Sequence, residues 1–261
     1  MKWRVACIQT DIFFGDPNEN MKHIESKIKE AVSNEKPDII VLPELWTTGY
    51  DLTRIEEIGD QNGKNMKEFV SNWSKTYNVN IVNGSIAKVT GDGVYNTMYI
   101  SDRNGNIIHE YSKLHLFKLM DEHLHLKAGH TDSLFELEGE VCSGFICYDI
   151  RFPEWIRKHT LSGAKVVFVV AEWPLARLNH WRTLLLARAI ENQCYVVACN
   201  RVGDDPKNTF AGHSMIINPW GEILAEAGES EEIITGEIDL QKVSEVRKHI
   251  PIFNDRRPDF Y

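Results

Sequence analysis

The sequence predicts an α/β protein with mixed sheets and helices packed outside them. Three observations carry this. Strand-like and helix-like runs alternate along most of the 261 residues. Two tight-turn signals, GDG at 91–93 and RNGN at 103–106, interrupt that rhythm with antiparallel hairpins. No Ser/Gly linker, charge block, internal repeat or low-complexity tract divides the chain, so a single domain over residues 1–261 is expected.

Taken in order, KWRVACIQT reads as a strand and PNENMKHIESKIKEAVSNEK as a helix opened by Pro17 and an acidic first turn. DIIVLPEL is a buried strand, and KNMKEFVSNWSKTY is a second helix. VNIVNGSIAKV, VYNTMYISD and NIIHEYSKLHLF are three strand-like runs with no helix between them. A polar loop over 120–132 precedes GFICYDIRF, read as a strand, and PEWIRKHTLSG, read as a helix stopped by Gly163. KVVFVVAEW is a strand. LNHWRTLLLARAIENQ carries Trp181, Leu184, Leu185 and Ala189 at helical spacing. CYVVACNRV is another strand, and HSMIINPWGEILAE forms a hairpin turning at 218–221.

Composition narrows the function classes. A 43% hydrophobic content supports a sizeable core, and a net charge of -9 argues against nucleic acid or an anionic membrane as the main partner. MKWRVACIQTDIFFGD lacks the apolar core of a signal peptide and AKVVFVVAEW is too short to cross a bilayer, so the protein is read as cytoplasmic. The five cysteines, Cys7, Cys142, Cys147, Cys194 and Cys199, form no CxxC pair and signal neither a disulfide framework nor a zinc ribbon. His115, His123 and His125 lack a further ligand at metal spacing, and GDG is a turn rather than a phosphate loop, so no metal or organic cofactor is expected.

Reactive groups in α/β sheets project where strands end. DIIVLPEL finishes on Glu44, NIIHEYSKLHLF places Lys113 inside a strand-like run, and GFICYDIRF places Cys147 just before the helix near Pro153. A carboxylate, an ammonium and a thiol are costly to bury apart, but together each can satisfy another. The ammonium would favour the thiolate and the carboxylate could take its proton, making Cys147 a nucleophile. Lys113 and the backbone N–H of Tyr148 would face the oxygen of an amide carbonyl as it turns tetrahedral, and Glu44 would protonate the leaving amine.

The same three stretches, LPELWTTGY, YSKLHLF and GFICYDIRFPE, together resemble the nitrilase, or carbon-nitrogen hydrolase, superfamily in order and spacing across nearly the whole chain. That resemblance implies a four-layer α-β-β-α sandwich, with Glu44 as general base, Lys113 as oxyanion-stabilising cation and Cys147 as nucleophile. It also implies an assisting glutamate seven residues before a glycine, here Glu122 before Gly129 in DEHLHLKAG. The tail NDRRPDFY resembles the family's C-terminal arm, so residues 250–261 are expected at the interface of a homodimer.

Within the superfamily, CYDIRFPEW, LARAIENQ, NRVG and GHSMIINPWGE most resemble the ω-amidases, above all a bacterial branch linked to methionine salvage. This implies hydrolysis of the terminal amide of 2-oxo acids such as 2-oxoglutaramate. Arg151 could pair bidentately with a substrate carboxylate, or form a structural salt bridge with Glu154 or Asp149. AEWPLARLNHW departs from the eukaryotic pattern at Glu172 and Trp173. Glu172 would repel a substrate carboxylate unless it faces an amine or pairs with Arg177, which leaves an N-carbamoyl amine or N-carbamoyl amino acid as an alternative substrate. Tyr50, Trp46 and Trp173 are expected as pocket walls. An inactive scaffold relative is a further alternative, opposed by the intact Glu44, Lys113 and Cys147 set.

Overall fold

A computed structural model describes residues 1–260; Tyr261, the last residue of the expected arm, lies outside the described residues. The chain runs β1 (Lys2–Gln9), α1 (Pro17–Glu35), β2 (Ile39–Val41), α2 (Ile55–Ile58), β3 (Asp60–Gln61), α3 (Lys64–Tyr77), β4 (Asn80–Val82), β5 (Ile86–Thr90), β6 (Gly93–Ser101) and β7 (Ile107–Ser112). It continues through α4 (Glu122–His125), β8 (Leu134–Leu137), β9 (Glu140–Ile146), α5 (Pro153–Leu161), β10 (Val166–Ala171), α6 (Leu178–Asn192), β11 (Tyr195–Asn200), β12 (Met215–Ile217), β13 (Ile223–Glu226), β14 (Glu232–Asp239) and α7 (Leu240–His249).

Among the described residues the strands form two mixed sheets. The first has the order β14-β1-β2-β4-β6-β5-β3, with β7 also pairing β6, and the second has the order β13-β12-β11-β10-β9-β8. Both hairpin signals hold, as β5 and β6 close at Thr90↔Gly93 and β6 pairs β7 through Ser101↔Ile107. The two sheets stack face to face. Val5 and Cys7 of β1, Val41 of β2 and Met98 of β6 pack against Phe168 of β10 and Val197 of β11, while Trp181 and Leu185 of α6 join the same core. Ile8, Ile40 and Tyr99 turn the other way, onto Ile24 and Ile28 of α1 and Met66 and Val70 of α3. This is the expected α-β-β-α sandwich. Successive residues of β2 are buried on opposite faces, which is why it reads as a continuous apolar run rather than an alternating one.

Helix boundaries follow their local chemistry. The Asp16 carboxylate accepts a hydrogen bond from Glu19 N at 3.1 Å and Pro17 opens α1. Pro153 opens α5, and α6 ends in a left-handed Gln193.

Four local expectations need correction. VNIVNGSIAKV is two strands, because the chain turns at 83–85, where Gly84 has φ +62° and a Cβ would collide with the carbonyl oxygen of Pro43. The strand containing Cys142 ends at Ile146, and Cys147–Arg151 is a 3₁₀ turn. Lys113 follows β7 rather than lying inside a strand. The polar loop holds the short helix α4. At Lys113 and Cys147 periodicity carried the apolar run past the point where the strand ends and a reactive side chain is buried. No helix among the described residues is long and apolar enough to cross a membrane.

Candidate active site

Three chain segments deliver the reactive groups to one buried point between the sheets. Glu44 follows β2, held where Glu44 N donates to Ala171 O and Ser85 N to Pro43 O. Lys113 follows β7, with its N–H donating to Asn96 O. Cys147 follows β9 and takes φ +47°, a strained conformation for a residue with a Cβ. Asp149 fixes that elbow, since its carboxylate accepts hydrogen bonds from Ile146 N, Tyr111 OH and His115 N, and its Oδ1 lies 2.8 Å from His115 Nδ1. The His115 ring stacks on Phe152, so it braces the turn and stands apart from His123 and His125 on α4.

Lys113, Glu44 and Glu122 are fully buried and Cys147 is 4% exposed. Lys113 Nζ donates to Glu44 Oε1 at 2.8 Å and to Glu122 Oε1 at 2.5 Å, leaving one of its three protons uncommitted. Tyr50 OH lies 2.5 Å from Glu122 Oε1 and 3.1 Å from Glu44 Oε1. Asn96 Nδ2 and Glu172 N donate to Glu44, and Phe117 N donates to Glu122 Oε2. Each carboxylate is thereby held in one orientation.

Electrostatics set the resting proton positions. Burial alone would pull the Lys113 ammonium down, but Glu122 and Glu44 outweigh it and hold the pKa well above the ordinary value. Burial raises Glu122, against Lys113 and with Glu44. Burial also pushes the Cys147 thiol well up, Glu44 adds to the rise, and Lys113 only partly offsets them. Lys113 acts on the thiol in the expected direction, but burial and Glu44 outweigh it. The resting thiol is thereby held in its protonated form.

Of the expected pocket walls, Trp173 lines the cavity against Cys147 together with Phe117, Met120, Tyr148, Arg151 and Arg177. This cavity is only about 10 Å³, and Met120 also lines a hollow of about 420 Å³ walled by Tyr50, Leu119 and Asp205. Tyr50 is more than a wall, as its hydroxyl joins the carboxylates. Trp46 is not a wall: it packs on Phe69 in the core beneath the first sheet and its Nε1 donates to Asn83 O. Arg151 forms no salt bridge with Glu154 or Asp149; its guanidinium lies 4.6 Å from the centre of the Trp173 ring.

Glu172 pairs with Arg201 rather than Arg177. Arg201 Nη1 donates to Glu172 Oε2 at 2.9 Å while Nη2 donates to Asp11 Oδ1 at 2.7 Å, so the fully buried guanidinium ties both sheets together at the site's edge. Burial pushes Glu172 from 4.5 up to about 8, with Arg201 opposing and Glu44 adding to the rise. The folded state then holds a proton that the unfolded state releases, so this group's contribution favours folding below the unfolded pKa and is lost as pH rises from 4.5 to about 8. Thermal melts of Glu172→Gln should therefore show wild type losing ground to the variant between pH 5 and pH 8; parallel pH profiles would refute this.

Comparison with known proteins fits this geometry. The model of the carbon-nitrogen hydrolase family matches residues 4–248. The chain belongs to the carbon-nitrogen hydrolase family. It is 56% identical to a 2-oxoglutaramate amidase of Bacillus subtilis over all of both chains, and 35% identical to an ω-amidase of Escherichia coli K12 over 97% of this chain and 96% of that one. A CN-hydrolase superfamily protein of Xanthomonas campestris superposes with TM-score 0.91 at 29% identity, covering 98% of each chain. Nit3 of Saccharomyces cerevisiae, a nitrilase-superfamily member, superposes with TM-score 0.90 at 28% identity over 96% of this chain and 95% of that one. This carbon-nitrogen hydrolase is accordingly an enzyme acting on amides.

The sequence assigned no role to Asn96 or Arg201, and offered Asp149 only as a salt-bridge partner of Arg151. Asn96 and Arg201 had the signal that found Glu44, a polar side chain within or ending a buried apolar run. Asp149 was visible as a charge inside CYDIRF, but its role depends on contacts with residues more than thirty positions away.

Proposed function

We propose that the enzyme hydrolyses the terminal amide of small 2-oxo dicarboxylic acid monoamides, of which 2-oxoglutaramate is the type, through a thioester on Cys147. The observation that carries this is the buried cluster of Glu44, Lys113 and Glu122 around the thiol, with the guanidinium of Arg151, which has no carboxylate partner among the described residues, in the wall of the same cavity. Cys147 Sγ attacks the amide carbon as Glu44 takes the thiol proton. The oxygen that gains charge meets the free Lys113 proton and the N–H of Tyr148, which lies in the first residues of the 3₁₀ turn and has no acceptor within it. The C–N bond breaks as Glu44 returns the proton to nitrogen, and ammonia leaves. Water, deprotonated by Glu44, then attacks the thioester; the C–S bond breaks, and the thiol recovers its proton from Glu44. Glu122 and Tyr50 hold Lys113 and Glu44 in place throughout.

The pairing of Glu172 with Arg201 removes the repulsion that favoured an amino-bearing or carbamoyl substrate. Ammonia release from 2-oxoglutaramate, succinamate, glutamine, an aliphatic nitrile and an N-carbamoyl amine tests the reading. Strong preference for the first two is expected; turnover of the carbamoyl compound alone would overturn the substrate assignment while keeping the cysteine chemistry.

We further propose a cytoplasmic homodimer joined in part by residues 250–261. Ile250 and Phe260 are 44% and 73% exposed, apolar surface that a second copy would cover, and the five free cysteines suit a reducing compartment. Light scattering at micromolar concentration should give twice the 30.0 kDa of one chain, and a monomer would contradict the proposal.

A further inference from the structure

Two guanidinium groups, not one, line the cavity that holds Cys147. Arg151 follows the nucleophile in the 3₁₀ turn, and Arg177 stands just before α6. Both are half-buried. Arg177 lies over the Phe117 ring at 5.5 Å, while Arg151 lies over Trp173 at 4.6 Å and over Tyr148 at 5.9 Å. These aromatic faces fix the planes of the two forks and limit their swing.

Neither group meets a carboxylate among the described residues; the one polar contact of Arg151 is with His180 Nδ1 at 3.3 Å. Burial lowers the pKa of Arg151, and the like charge of Arg177 lowers it further, so the two cations sense each other. The acids nearby are already committed, Glu172 to Arg201 and Glu44 and Glu122 to Lys113. Two like charges beside one small cavity cost free energy in the unliganded site, and an anion between them removes that cost.

We propose that Arg177 joins Arg151 as a two-guanidinium clamp for the carboxylate end of the substrate, which makes Arg177 a specificity-determining residue. The inference rests on the amide hydrolysis argued above and deepens it. A 2-oxo carboxylate presents three acceptor oxygens close together. One fork can take the carboxylate bidentately while the other takes the remaining acceptor positions, including the keto oxygen. An amide bearing a 2-amino group would bring an ammonium to the same place and be repelled by both cations. The clamp thus selects an anionic head and favours the 2-oxo over the 2-amino compound, although the protein as a whole carries a charge of -9.

The test is steady-state ammonia release by wild type, Arg177→Gln and Arg177→Met, with 2-oxoglutaramate, glutamine and pentanamide, a neutral amide of the same chain length. In both variants the preference for 2-oxoglutaramate over pentanamide, as a ratio of kcat/KM, should fall by about tenfold or more, chiefly through KM. The rise of KM with added salt should also be shallower than in wild type. The methionine variant keeps an apolar stem against Phe117, so it reads out lost charge even if the glutamine variant folds poorly. A preference kept within about threefold of wild type in a folded variant would overturn the clamp. Wild type with no preference for the anionic amide would instead overturn the substrate reading on which the clamp rests.

Discussion

Replacing Cys147 by alanine should abolish amide hydrolysis, lowering kcat by about 10⁴-fold or more, while leaving the fold intact. The loss follows from the mechanism, since no other cysteine lines the cavity shared by Phe117, Trp173 and the two arginines. The fold should survive because the elbow is held by Asp149 and by backbone hydrogen bonds, not by the thiol. Removing one buried sulfur from a position at φ +47° should cost about 1 kcal/mol or less. Cys147→Ser should also fail, because an alcohol of far higher pKa in this buried setting gives up its proton to Glu44 much less readily. Activity of the alanine variant within tenfold of wild type, with the protein folded by circular dichroism, would remove Cys147 from the mechanism.

Lys113→Met should damage both chemistry and stability. It removes the cation between Glu44 and Glu122, two fully buried carboxylates whose oxygens both meet Lys113 Nζ. Breaking a buried ionic cluster this way costs about 3–5 kcal/mol, roughly 10 °C in Tm for a chain of this size. Burial and the neighbouring Glu44 already raise the Glu122 carboxyl against the pull of Lys113, so without the ammonium its folded-state pKa rises further above its unfolded value. Protonation then relieves the variant, so its deficit should shrink as pH falls from 7 to 5. Loss of the oxyanion donor, together with the misplacement of Glu44, should lower kcat by at least about 10³-fold. A variant with wild-type Tm and a small kcat loss would mean that Lys113 neither neutralises the acids nor faces the substrate oxygen.

Much of this was legible in the sequence for physical reasons that can be named. Glu44, Lys113 and Cys147 stood out because each places a reactive group within or at the end of an apolar run, and the structure gathers all three at one point. The resting protonation of Cys147 was not legible, because it depends on how completely the site is sealed and on the second carboxylate of Glu122. Glu172 was read against Arg177, close in sequence, whereas its partner Arg201 sits twenty-nine residues away, just past the end of the neighbouring parallel strand. That choice among arginines is a matter of sheet register, which spacing along the chain does not carry. Trp46 was taken for a pocket wall by its closeness to Glu44, but the left-handed Leu45 separates the two side chains and sends the indole into the core.

The proposed mechanism requires a single acyl-cysteine intermediate on the path. Hydrolysis of 2-oxoglutaramate and of its N-methyl amide in the presence of hydroxylamine tests it most directly. One shared thioester on Cys147 predicts the same ratio of hydroxamate to acid from both amides, since the leaving group has departed before the two nucleophiles compete. Hydrolysis without any hydroxamate, or ratios that differ between the two amides, would contradict the thioester and the assignment of Cys147 as the nucleophile.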